Sequence, residues 1–139
     1  MKNIQTHGST NVRQQLAKSA VNWYIDNYLP KVRKLHIDVC FNRLDNFNGL
    51  CTQMDKRNFN IQIEDTLDMD ELVVTVMHEM IHVKQYVKNE MSDMESGNVR
   101  WKSKIYNPDD IDYWEHPWEI EAHRCDEVLA SAFMIDMDI

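Results

Sequence analysis

Two histidines four residues apart, with a glutamate beside the first, constrain this chain more than any other feature: His78-Glu79-Met80-Ile81-His82. The pentapeptide lies in a run from Glu71 to about Lys88 whose apolar residues recur at helical spacing. On a helix, positions i and i+4 stack on one face, so both imidazoles can reach one ion without backbone strain. Glu79 projects about a quarter turn away, toward a water on that ion rather than the ion itself. Asp68 and Asp70 precede the run and supply negative charge where a helix N-terminus favours it.

A helical wheel separates two readings of the histidines. Val73, Val76, Met77, Met80, Val83 and Val87 fall on one arc, whereas His78 and His82 fall opposite, with Glu71, Thr75, Gln85 and Asn89. The histidines therefore face a polar surface or cleft, not the core. A solvated helix face would show the same pattern, so a third ligand is needed to favour a metal.

The stretch Glu115-His116-Pro117-Trp118-Glu119-Ile120-Glu121-Ala122-His123 offers several. Pro117 suits the first position of a helix running to about Met134. On that helix Glu119, His123, Asp126 and Ala130 form one stripe, while Glu121 falls among Cys125, Val128 and Ala132. The small residues Ala122 and Ala130 would let a neighbouring helix approach closely. Glu119 is the best-placed carboxylate, although in the first helical turn it could instead cap free N–H groups. Glu121, His116 and His123 stay open as alternatives. Three protein ligands with one open position make a catalytic zinc site.

The rest of the chain is expected to form a single α+β domain over residues 1–139. Residues 11–28 read as an amphipathic helix ending before Pro30, and Leu35 to Phe41 as a half-buried strand. Asp45-Asn46-Phe47-Asn48-Gly49 reads as a turn, and Leu50–Met54 and Asn58–Ile63 as two more strands. Residues 89–116 look like a long irregular loop. The expected order is helix, three mostly antiparallel strands, helix, loop, helix.

Composition narrows the function classes. A formal charge of −8 disfavours a general nucleic-acid binder. The basic groups Lys31, Arg33, Lys34 and Arg100, Lys102, Lys104 read as solvated faces. Cys40, Cys51 and Cys125 are an odd number without CxxC spacing, which argues against a disulfide framework. No apolar run approaches a membrane span and the polar start lacks a signal-peptide core, so a cytoplasmic protein with no membrane partner is expected.

With His78-Glu79-Met80-Ile81-His82 and Glu119-Ile120-Glu121-Ala122 both in view, the chain resembles the zincin metallopeptidases. It looks like the glutamate-ligand type, where HExxH is followed by a helix carrying ExxA. In layout it is similar to the compact SprT-like and ImmA-like peptidases and small phage-encoded relatives. The resemblance spans roughly residues 35–133, but only the two motifs are specific. It implies a zincin-like fold, a Zn2+ cofactor, His78, His82 and Glu119 as ligands, and Glu79 as general base. It departs in two ways. SprT-like enzymes generally use a third histidine, which would select His116 or His123. Several glutamate-type families carry Asp or Asn directly after the ExxA alanine, where this chain has His123, leaving Asp126 as the nearest substitute.

The implied activity is hydrolysis of a peptide or protein substrate by a metal-activated water. The strand Asn58–Ile63 could pair with an extended substrate, and Tyr86, Tyr106, Tyr113 and His123 are candidate oxyanion donors. Trp101 and Trp114 either close the core or anchor a lid. Two competing functions share the motif: a non-catalytic module using metal for stability, and a zinc hydrolase acting on a non-peptide bond.

Overall fold

The computed structural model describes residues 1–139 and is an α+β arrangement of three helices and two sheets. Strand β1 (Lys2–His7) leads into helix α1 (Asn11–Tyr28), followed by β2 (Leu35–Asn42), β3 (Gly49–Asp55) and β4 (Asn58–Glu64). Helix α2 (Met69–Val87) carries the histidine pair. Three short strands follow, β5 (Met91–Asp93), β6 (Val99–Trp101) and β7 (Lys104–Tyr106), and then α3 (Pro117–Asp136). No helix is long and apolar enough to cross a membrane.

The main sheet has four strands in the order β1-β2-β4-β3, not three mostly antiparallel ones. β1 pairs with β2 and β2 with β4 in parallel; only β3 and β4 are antiparallel. The parallel β1–β2 pair is possible because α1 provides the crossover that such a connection requires. β1 escapes a pattern-based reading because it is an edge strand whose one buried residue is Ile4, so no alternation shows. β4 sits inside the sheet because Phe59, Ile61 and Ile63 are all fully buried against the helices. β3 has no fully buried residue and takes the outer edge.

One face of this sheet is covered. Along β2, Leu35, Ile37, Val39 and Phe41 are buried, whereas His36, Asp38, Cys40 and Asn42 lie on the open side. The covered face joins α1 and α2 in a core of 26 buried residues, of which α3 contributes Ala122, Ala130 and Phe133. α3 packs against α2, and Ala122 and Ala130 are both buried on α3. α2 begins with a capping box: Asp68 Oδ1 accepts from the Glu71 amide at 2.8 Å, and Glu71 Oε1 from the Asp68 amide at 3.1 Å. Such a cap contributes about 1 kcal/mol and sets where the helix starts.

Residues 89–116 are not an irregular loop. β5, β6 and β7 form an antiparallel sheet of three-residue strands, too short for a period of two to be visible in sequence. Met91, Trp101 and Trp118 are buried together beneath it, with Tyr86, Val99 and Tyr106 packed around them. Trp101 thus closes a small satellite core. Trp114 is 70% exposed on the rim of the cleft described below.

Candidate metal centre

The middle of the polar arc of α2 is buried, not solvated, while Glu71 and Asn89 at its ends are exposed. His78 is 7% exposed, Glu79 5% and His82 6%, with Thr75 and Gln85 buried on the same arc. α3 and the β3 edge cover it, and buried polar groups must find partners there.

Each histidine is held from behind. His78 Nδ1 lies 3.1 Å from Asp126 Oδ2, and His82 Nδ1 lies 2.8 Å from Gln85 Oε1. Gln85 Nε2 donates to the Trp118 carbonyl and to Glu121 Oε1, both at 3.0 Å, which leaves Oε1 as its acceptor. Both partners accept, so both histidines carry the proton on Nδ1 and turn Nε2 forward. The two Nε2 atoms converge on one oxygen: Glu119 Oε1 is 2.9 Å from His78 Nε2 and 3.2 Å from His82 Nε2. Two bonds of about 2.05 Å at a tetrahedral angle place donor atoms about 3.4 Å apart, so this trio has the spacing and chemistry to hold one divalent ion.

Tyr113, in the 3-10 turn Tyr113–Glu115 just before α3, adds a third contact to that oxygen. Its hydroxyl donates to Glu119 Oε1 at 2.9 Å and therefore receives from His123 Nε2 at 2.9 Å, since it has one hydrogen to give.

Charge is balanced tightly here. Burial disfavours a charged His78, but Asp126, Glu119 and Glu79 outweigh it and push its pKa up to about 10. Burial acts likewise on His82, and Glu119 and Glu79 reverse it, so its pKa is also raised. Burial would raise Glu119, yet the hydrogen bonds and charges of the two histidines hold its carboxyl well below the usual range. The three groups thus demand positive charge between them, from protons or from a cation. Glu79 lies outside that trio but lines the same cleft. Burial pushes its carboxyl up, only partly countered by His82 and His78.

Among the other candidates, Glu121 pairs with Lys84 at 2.9 Å and accepts from Gln85. His116 stacks on Trp118 and bonds the Pro108 carbonyl at 2.9 Å. His123 stands beside His78 and Asp126, and these three form a second group of suitable spacing. That group would need His78 Nδ1, the nitrogen already directed at Asp126; a neutral imidazole has one free lone pair and cannot serve both sets. Of the four proposed oxyanion donors, Tyr113 and His123 are at the trio. Tyr86 lines the cleft with its hydroxyl on Asp93 at 3.0 Å, and Tyr106 packs edge-on against Trp118.

Gly49 and Gln85 are the contributors that motif reading passes over. A Cβ on Gly49 would stand 2.6 Å from Thr75 Cγ2, so the start of β3 can lie against α2 only with a glycine there. The glycine reads as a turn residue from its neighbours. Gln85 shares the histidine arc three positions after His82, a spacing that signals a contact in hindsight. The strand beside the cleft is β3, whose Gly49, Leu50 and Cys51 line it. Asn58–Ile63, as β4, is paired on both sides and has no edge for a substrate. The cleft occupies about 940 Å³. No known family model, curated protein or solved structure matches this chain.

Proposed function

We propose that this chain is a zinc-dependent peptidase with a zincin-like arrangement, in which His78, His82 and Glu119 hold the ion and Glu79 is the general base. The observation that carries the reading is the convergence of both histidine Nε2 atoms on one Glu119 oxygen, with Glu79 buried in the same cleft. Two nitrogens and one carboxylate oxygen suit zinc. When bound, such an ion lowers the pKa of a water in its open position to about 7 and polarises a carbonyl.

The chain's own residues do the rest. Glu79, with its carboxyl raised by burial, takes a proton from the attacking water and returns it to the departing amide nitrogen. Tyr113, backed by His123, donates to the substrate carbonyl oxygen as charge develops there. An extended substrate adds to the free edge of β3, backbone to backbone, which gives affinity with little dependence on side chains.

The test is metal analysis together with peptide hydrolysis. Purified protein should carry stoichiometric zinc and cleave an unfolded protein, and Glu79→Gln should keep zinc and fold while losing cleavage. Zinc without cleavage in the wild type would leave only a metal-stabilised module or a non-peptide hydrolase; absence of zinc would end all three.

A further inference from the structure

The acidic side chains that line the cleft are Glu79, Asp93, Glu119, Asp126 and Glu127; its basic groups are the three histidines His78, His82 and His123, and no lysine or arginine lines it, although the chain has 15. Lys84, the basic residue of α2 nearest the histidines, is directed away and pairs with Glu90 at 2.8 Å and Glu121 at 2.9 Å. Glu119 and Asp126 engage the histidines. Asp93 accepts from Tyr86 and has no cationic partner, and Glu127 is exposed on α3. Even opposite a divalent ion, five carboxylates leave the cleft acidic, and a concave wall of one sign concentrates ligands of the other.

Two further observations point to a cationic ligand. Glu79 is more than nine-tenths buried, belongs to neither ligand group, and lines the cleft without an ion-pair partner. Trp114 and Phe47 also line the cleft and are strongly exposed, offering ring faces of the kind that attract ammonium and guanidinium groups. Exposed aromatics beside unpaired carboxylates recognise Lys and Arg through both their apolar stems and their charged heads.

We infer that the cleft takes extended peptide segments rich in lysine or arginine, held by Glu127, Asp93 and the exposed face of Trp114. The inference rests on the peptidase reading and gives its substrate class.

The test uses peptides of one sequence frame whose flanking positions are all lysine, all glutamine or all glutamate. Binding is measured by fluorescence anisotropy to zinc-loaded Glu79→Gln protein, and hydrolysis with the wild type. The lysine set should bind about tenfold more tightly than the glutamine set at low salt, with the gap shrinking as ionic strength rises. Glu127→Lys should narrow that ratio, and Asp93→Asn should do so while preserving an acceptor for Tyr86. Equal binding of the three sets, preference for glutamate, or a lysine preference that neither variant alters would overturn the inference. Lysine-selective binding without wild-type hydrolysis would support the charge preference and defeat the peptidase reading. Equal hydrolysis of all three sets would defeat the charge preference alone.

Discussion

Gly49 lies directly against Glu79: a Cβ on the glycine would stand 2.9 Å from Glu79 Oε2. The same strand start that offers its edge to the cleft therefore also confines the carboxylate proposed as base. Gly49→Ala must displace β3, Thr75 or Glu79. It should cost about 1–3 kcal/mol in unfolding free energy and lower kcat while zinc is retained, because the ligands lie on α2 and α3. Thermal melts and metal analysis check this; wild-type stability with wild-type turnover would contradict the close packing.

Asp126 acts on His78 from behind, through the 3.1 Å contact to Nδ1. An asparagine can present an amide hydrogen there and favour the wrong tautomer. Asp126→Asn should weaken zinc affinity by about 10- to 100-fold, read by competition with a chromogenic chelator. Gln85→Leu should weaken it in the same direction through His82. Unaltered affinity in both variants would remove the backing role.

The pH dependence follows from the raised histidine and the lowered glutamate. In zinc-free protein, His78 rises from 6.5 to about 10, so its contribution to stability is complete below pH 6.5 and is lost as pH climbs toward 10. Glu119 is depressed, so its contribution holds above its unfolded value, about 4.5, and fades on acidification. Zinc must displace the histidine protons, so its affinity rises with pH. The melting-temperature gap between zinc-loaded and chelator-treated protein should therefore widen from pH 6 to pH 9. A constant gap would mean that the ion does not bind through these imidazoles.

Tyr113→Phe separates a donor from a packing ring. Phenylalanine keeps the ring but removes the hydroxyl that lies 2.9 Å from Glu119 Oε1. With zinc and fold intact, kcat should fall about a hundredfold with little change in KM. An unchanged kcat would leave Tyr113 as part of the cleft wall only.

Much of this arrangement is legible in the chain itself. The 3.6-residue period places α1 over the residues observed, and the alternation of Leu35, Ile37 and Val39 marks β2. Wheel geometry alone puts His78, His82 and Gln85 on one arc of α2, and Glu119, His123 and Asp126 on one stripe of α3. The sheet order is not legible, because hydrophobic alternation reports which face a strand buries and not which strand lies beside it. Strands as short as β5, β6 and β7, or an edge strand with one buried residue such as β1, leave too few positions for any period to show.

The sequence by itself determined the chemistry available: two stacked imidazoles, a neighbouring carboxylate, and a second helix with several acids and histidines. Only the tertiary structure decided among them. Glu119 meets the two Nε2 atoms, while Glu121 goes to Lys84, His116 to the Pro108 carbonyl and His123 to Tyr113. The reason is physical. A helix period assigns residues to a face, but which member of that face meets a partner depends on the axial offset of α2 and α3, which the packing of the two helices sets.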